Sequence, residues 1–266
     1  VTELGRPTTA HPLASGTTGL TIDWAGVTDV GLRRAHNEDS YVADAPVFVV
    51  ADGMGGHSAG DVASDAVVRR VAEAAVGDRL STDELEEALR RATADIAVAA
   101  AETELGVGTT ATGVFLSVGE AEGETEFTVF NVGDSRVYLV ADGALRQVTV
   151  DHSVVQEMVD AGLLRAEDAE SHPDSNVITR AVGFDVDQRP DYWRVPARAG
   201  LRLLVCSDGL TKELSGGDIE RVLAAQPESH AAASALVRAA VEAGGRDNVT
   251  AVVVDVRGTE GEPAEA

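Results

Sequence analysis

Val47-Phe-Val-Val-Ala-Asp52-Gly53-Met-Gly-Gly56-His57-Ser-Ala-Gly60 carries a Val-rich apolar run into one carboxylate and then into a turn with Gly at 53, 55, 56 and 60. The run reads as a buried strand and the glycines as the turn that ends it. A carboxylate at the end of a core strand is held where it can act. The glycines behind it let the backbone approach an ion closely, so that a main-chain carbonyl can become a ligand beside the side chain. The same order, strand and then Asp, recurs at 127–134, which ends on Asp134, and at 203–208, which ends on Asp208 before Gly209; Asp247-Asn248 leads into the apolar run 249–254. Carboxylates gathered at strand ends, with no Cys or His cluster among them, suit hard cations such as Mg2+ or Mn2+.

Composition sets the outer limits. A chain of 266 residues can bury a full core in one large domain or two small ones, and 44% apolar residues with only 4% aromatic imply a core of Val, Leu and Ala. The net charge is -24, and of the 21 basic residues only Lys212 is a lysine. That balance argues against a nucleic-acid or anionic-membrane partner, and an anionic substrate would be repelled unless bound metal ions inverted the local field. Cys206 stands alone inside an apolar run, so no disulfide can form within the chain, which fits a reducing cytoplasm. No apolar run approaches the roughly 20 residues that span a bilayer, and no signal peptide opens the chain, so a soluble protein is expected.

Residues 1–20 are rich in Thr, Gly, Pro and Ala without periodicity and read as a disordered tail. Structure is expected from 20–29, followed by the polar loop Gly31-Leu-Arg33-Arg34-Ala-His36-Asn37-Glu38-Asp39-Ser and a short strand at Tyr41. Over 61–76, Val62, Ala66, Val67, Val71, Ala74 and Ala75 recur at helical spacing. Ser81-Thr-Asp-Glu84 is a capping box that opens a second helix, with Leu85, Ala88, Leu89, Ala92 and Ile96 on one face; the two helices should pair antiparallel. From Gly108 the period shortens to strands at 110–118, 125–132, 135–140 and 144–148, parted by turns such as Asp142-Gly143, which reads as an antiparallel meander. Residues 151–183 are polar and helical, with Val154, Val155, Met158 and Leu163 as sparse apolar anchors, a candidate flap. Strands follow at 192–195, 201–206 and 249–256, with helices at 215–225 and 229–243; 257–266 reads as an acidic frayed tail, and no internal repeat is present.

Taken singly, most of these signals have plain readings. A lone Asp-Gly is more often a turn than a metal site, as at Asp142-Gly143. Asp52-Gly53 and Asp208-Gly209 differ because each follows a strongly apolar strand, and a buried carboxylate needs a partner. Asn37-Glu38-Asp39 alone would be a solvated loop, His36 and His57 surface histidines, and Cys206 a small core hydrophobe. The Gly-rich turn lacks the Lys of a phosphate-cradling P-loop.

Together the motifs carry a resemblance. Arg34-x-x-Asn37-Glu38-Asp39, Asp52-Gly53-Met-Gly-Gly-His, Gly108-Thr-Thr-Ala-Thr, Gly133-Asp134-Ser-Arg136, Asp151-His-Ser, His172-Pro173 with Asn176 and Arg180, Cys206-Ser-Asp208-Gly209-Leu-Thr and Asp247-Asn248-Val-Thr resemble, in order, the motifs of the metal-dependent protein phosphatases, the type-2C family. The segment 151–183 makes the chain most similar to the bacterial Ser/Thr branch. The resemblance implies an α/β fold, a four-layer α-β-β-α sandwich with two central antiparallel sheets and a flap insertion, over a catalytic domain at 21–256. It implies two core Mn2+ or Mg2+ ions: Asp52 bridges them, Gly53 gives its carbonyl to one, Asp208 and Asp247 ligate the other, and Glu38 and Asp39 hold metal-bound waters. Asp134 joins Asp208 at a third, weaker site, and Arg34 holds the phosphoryl oxygens. Met54 stands where the animal enzymes carry a His thought to be the general acid, which leaves His57, a metal-bound water or solvent as the proton source.

The reaction implied is hydrolysis of protein phosphoserine and phosphothreonine by a metal-bridging hydroxide without a covalent intermediate, with Arg34, Asp52 and Asp208 as the catalytic set. Phosphorylated proteins are the expected partners, a Ser/Thr kinase and its substrates among them, and a monomer is expected. A regulatory pseudophosphatase and a small-molecule phosphatase are the alternatives, separated by metal dependence and by activity on a phosphopeptide against a nucleotide.

Overall fold

The computed structural model describes residues 1–13, 19–55, 59–100, 106–119, 125–141, 143–184 and 189–258. In chain order the strands and helices are β1 (Glu3–Leu4), β2 (Thr8–Pro12), β3 (Leu20–Asp29), β4 (Asp39–Asp44), β5 (Val47–Met54), α1 (Gly60–Ala74), α2 (Thr82–Ala100), β6 (Gly108–Thr109), β7 (Ala111–Val118) and β8 (Thr125–Val132). They continue with β9 (Arg136–Ala141), β10 (Ala144–Gln147), α3 (Val154–Asp160), β11 (Asp191–Pro196), β12 (Arg202–Cys206), α4 (Asp208–Thr211), α5 (Gly216–Ala225), α6 (Ser229–Ala243) and β13 (Val249–Gly258), and a short 3-10 helix spans Ala166–Ser171.

The strands form two sheets, one in the order β1-β4-β5-β7-β8-β11 with β6 beside β5, the other β10-β9-β12-β13-β3-β2. Pairing is antiparallel throughout except at the edge, where β1 runs parallel to β4. Side chains on a strand alternate between faces, so a strand buried on both faces reads as a continuous apolar run. In β5, Val47, Val49 and Ala51 pack with α1 and α2, while Phe48 and Val50 face the other sheet. In β12, Leu203 and Val205 face the first sheet, while Leu204 and Cys206 pack with α5 and α6. Three cores therefore separate four layers, helices, sheet, sheet and helices, as the motif resemblance implied.

Helix α1 buries Ala66, Val67 and Val71 as expected, with Ala63 and Val68 in addition, but Val62 is 44% exposed. The capping box ahead of α2 forms: Ser81 N–H donates to Glu84 Oε2 (2.9 Å), and Glu84 N–H to Ser81 Oγ (3.3 Å). Two expectations are corrected. Residues 1–13 are not a disordered tail: β1 and β2 pair at sheet edges, Tyr41 N–H donates to the Thr2 carbonyl (2.9 Å), Ala10 N–H to Asp23 Oδ1 (2.7 Å), and Leu13 is buried. An edge strand buries little and needs no apolar alternation, so composition alone does not reveal it. The meander also breaks, because β9 leaves β8 and joins the other sheet beside β12. The crossing is at Gly133, whose φ of +112° suits glycine, and there the Asp134 turn spans the two sheets. Of the expected tails and turns, 259–266 and Asp142 lie outside the described residues.

Candidate active site

Neighbouring antiparallel strands place the end of one beside the start of the next, and this brings the acidic motifs to one edge of the sandwich. Asp52, near the end of β5, is the cross-strand partner of Asp39, which opens β4. Asp208 follows β12 and Asp247 precedes β13, its antiparallel neighbour. The Gly133-Asp134 turn joins the sheets at the same edge. A cleft of about 540 Å³ results, lined by Arg34, Glu38, Asp52, Gly53, Asp134, Asp208 and Asp247, with Ser175, Asn176 and Ile178 from the 151–183 segment forming a wall. Arg33 does not line it.

The backbone around Asp52 is fixed from below. Its N–H donates to Thr110 Oγ1 (2.9 Å), and its carbonyl accepts from Thr109 Oγ1 and Thr110 N–H (both 2.9 Å). Gly53 is required where it stands: a Cβ there would lie 2.1 Å from the Gly60 carbonyl oxygen and 2.7 Å from that of Glu38. Asn248 ties the 30–38 loop to the start of β13, accepting the Glu38 N–H at Oδ1 (2.8 Å) and donating through Nδ2 to the Val30 and His36 carbonyls (both 3.0 Å). Asp39 lies beneath the cleft and does not line it. Its Oδ2 accepts from Ser207 Oγ (2.8 Å) and Thr250 Oγ1 (2.6 Å), while Oδ1 is buried without a partner.

So many carboxylates at one edge perturb one another. Burial, above all, raises the Asp39 pKa to about 7, although the Thr250 and Ser207 hydroxyls oppose it and Asp208 and Asp247 add to it. Asp134 is raised to about 8, by burial first and then by Asp208, with Lys212 opposing. Asp52 is pushed well above the usual carboxylate range by burial, then by Asp39, Asp208, Asp134 and Asp247. Glu38 is raised by burial and by Asp61, against the pull of Arg34. Directly opposed like charges on paired strands destabilise a sheet, so Asp39 and Asp52 call for a counter-charge.

A divalent cation fits that demand. The donors are hard oxygens, and Asp208 Oδ1 and Asp39 Oδ1 are buried with no hydrogen-bond partner. Among the described residues no three acidic, His or Cys side chains stand as a closed ligand shell. Asp247 Oδ2 is turned to Arg34 Nη2 (2.8 Å), and Asp208 Oδ2 is ion-paired with Lys212. A cation taking Asp247 Oδ2 would compete with Arg34, and one taking Asp208 Oδ2 with Lys212, while Asp208 Oδ1 is engaged by neither.

Of the residues given a role by the resemblance, Arg34, Glu38, Asp52, Gly53, Asp134, Asp208 and Asp247 thus meet at one cleft and Asp39 lies beneath it, while His57 lies outside the described residues. Sequence reasoning gave no role to several others. Asp61, at the start of α1, has a buried Oδ1 without a partner and acts electrostatically on Glu38. His152 holds the Asp134 turn: Nδ1 accepts from Gly133 N–H (3.1 Å), which leaves Nε2 to donate to Asp191 Oδ2 (3.1 Å). Its pKa is lowered, chiefly by burial, which favours that neutral form. The available signal was the Asp151-His-Ser motif, which marks the residue without saying what it touches.

The family model described as Protein phosphatase 2C matches residues 33–243. The serine/threonine protein phosphatase PstP of Mycobacterium tuberculosis is 42% identical over 247 residues, covering 89% of this chain and 45% of that protein, so the chain spans about half the length of this relative. Serine/threonine phosphatase stp of Listeria monocytogenes is 36% identical over 241 residues, 86% of this chain and 93% of that one. The crystal structure of M. tuberculosis PstP/Ppp superposes with a TM-score of 0.80 at 39% identity over 89% of this chain and 99% of that one. A PstP catalytic-domain structure in complex with two manganese ions gives 0.79 at 38% identity, over 90% and 99% of the two chains. With the fold, the motif order and the acidic cleft in agreement, the chain belongs to the protein phosphatase 2C family.

Proposed function

We propose that the chain is a metal-dependent phosphoprotein phosphatase that hydrolyses phosphoserine and phosphothreonine with no covalent enzyme intermediate. The carrying observation is the cross-strand Asp39–Asp52 pair beside the unpartnered Asp208 Oδ1, on a cleft whose rim carries Arg34. Such a site in a chain of net charge -24 accepts a phosphate only when cations offset the carboxylates. Two divalent cations, Mn2+ or Mg2+, held by Asp52, the Gly53 carbonyl, Asp208 and Asp247, would lower the pKa of a water and neutralise the phosphoryl oxygens. A PstP structure described with two manganese ions supports this, as do the Ser/Thr phosphatase names of the relatives.

Arg34 is 52% exposed on the rim, paired with Asp247, and its planar guanidinium can turn from that carboxylate to two phosphoryl oxygens. Glu38 and Asp39 support the site from the loop and from beneath it. The Thr110 hydroxyl is not set up as a nucleophile: its Oγ1 is engaged by the Asp52 N–H and by Ser135 Oγ (2.9 Å). Burial pushes the Cys206 thiol up to about 12, so it cannot serve as a thiolate nucleophile. A water activated by the cations is the attacking group in this reading. Met54 has no proton to give the leaving oxygen, which leaves that role to His57, a metal-bound water or solvent. The partners are phosphorylated proteins, a Ser/Thr kinase and its substrates among them, and Asp134 with Asp208 offers a third, weaker cation position.

The test is release of phosphate from a phosphothreonine peptide by the parent in Mn2+, by the parent in chelator, and by Asp52→Asn. Turnover is expected in the first alone. Activity that survives chelation or loss of the Asp52 charge would overturn the reading.

A further inference from the structure

Lys212, the only lysine among 21 basic residues, has no part in the function above, yet its surroundings are not those of a surface lysine. It caps the C-terminus of α4, one turn after Asp208, and its side chain is only 24% exposed. Its Nζ is ion-paired with Asp208 Oδ2. Lys212 lines both the main cleft and a second cavity of about 40 Å³ that it shares with Asp134 and Asp208. The charges acting on it are those of Asp208, Asp134 and Asp247. Arg136, also on that cavity, is engaged by Asp151 through two nitrogens (2.7 to 3.0 Å) and by Glu170 (3.0 Å), so it does not serve Asp134 or Asp208.

We propose that the Lys212 ammonium is a built-in occupant of the space between Asp208 and Asp134, so that a third divalent cation binds there only by displacing it. The inference rests on the reading of Asp52, Asp208 and Asp247 as a cation centre. Asp208 divides its oxygens accordingly: Oδ2 goes to Lys212, while Oδ1 is buried without a hydrogen-bond partner and is left for a cation. A tethered ammonium is present at fixed local concentration whatever the metal supply. A third cation must break a largely buried ion pair and send the lysine into solvent, which weakens its binding without touching Asp52 or Asp247. The enzyme therefore works with two cations at Mn2+ concentrations where a neutral residue at 212 would admit three.

The parent, Lys212→Gln and Lys212→Arg are titrated with Mn2+ by calorimetry, and crystals of each are soaked at low and high Mn2+ for anomalous diffraction. Two ions are expected in the parent, with a third at least tenfold weaker than in Lys212→Gln; Lys212→Arg should follow the parent. Adding Asp134→Ala to Lys212→Gln should remove the third ion, while the two retained ions report an intact fold. Equal third-site affinity in parent and Lys212→Gln, or two ions in both at every concentration, overturns the proposal. So does a manganese peak between Asp134 and Asp208 in parent crystals at the concentration that just fills two sites, a result independent of any variant. A parent that binds no Mn2+ overturns the cation-centre reading itself, and this inference with it.

Discussion

At the scale of residues, adjacent arginines provide a sharp comparison. Arg34 lines the cleft and reaches Asp247, whereas Arg33, one position away, is exposed and does not line it. Arg34→Ala should lower kcat/KM on a phosphopeptide by roughly 10- to 100-fold, the range of a lost charge-assisted contact of about 1.5–3 kcal/mol, and Arg33→Ala should change it by less than about twofold. Equal losses in the two variants would break the assignment. Asp52, Asp208 and Arg34 were legible because each carries a local mark: an apolar run ending on a carboxylate, or a fixed spacing to Asn37-Glu38-Asp39. Asp61 and Lys212 carry none. Their significance comes from Glu38 and from Asp134 in space, and Lys212 lies 78 positions from Asp134 in a stretch that reads locally as an ordinary capped turn.

At the scale of elements, the strands and helices with a buried face were legible and the edges were not. Strand β3 and helix α6 occur at the limits that their apolar pattern implies, because burying one face requires that pattern. The exposed strand β2 has no such requirement. The change of sheet after β8 was invisible because a three-residue turn reads as a hairpin, and only the long-range pairing of β9 with β12 shows otherwise. His152 fastens that turn to the 151–183 segment, whose Thr179 N–H donates to the His152 carbonyl (2.8 Å). His152→Ala leaves the buried Gly133 N–H without an acceptor and should cost roughly 1–3 kcal/mol of stability, read as a lower denaturation midpoint. An unchanged midpoint would mean that the turn holds itself. The segment is anchored at its two ends, where Val155, Ala181 and Val182 are buried, whereas Leu163 between them is 74% exposed. Because it walls the cleft, shortening 162–171 should lower turnover of phosphopeptides more than that of a small aryl phosphate, and equal losses on both would argue against a role in substrate access.

At the scale of the whole molecule, the acidic edge ties stability to pH and to metal. Asp39 and Asp134 are raised to about 7 and about 8 in the folded chain, and Asp52 is raised well above the usual range. In the unfolded chain they titrate near 4. Between those limits the folded state holds more protons than the unfolded state, so its stability falls as pH rises from about 4 to about 8. This is the reverse of an ion-paired carboxylate, which stabilises a fold as pH rises. Burial drives the shift here, and among the described residues the nearby cations are paired with other carboxylates, Lys212 with Asp208 and Arg34 with Asp247, with Arg34 acting on Asp52 only through space. A bound divalent cation would supply the missing charge, and its binding releases protons, so its stabilising effect should grow with pH. In chelator, Tm is expected to fall by about 5 °C or more between pH 5.5 and pH 8, since a loss of about 1 kcal/mol moves Tm by roughly 2–4 °C in a domain of this size. In saturating Mn2+ that slope should flatten or reverse, and Asp52→Asn, which removes one buried charge, should flatten it without metal. A chelated parent whose Tm rises over this range would show that its acidic edge is already neutralised by the protein's own cations, and the case for a metal-demanding cleft would fail with it.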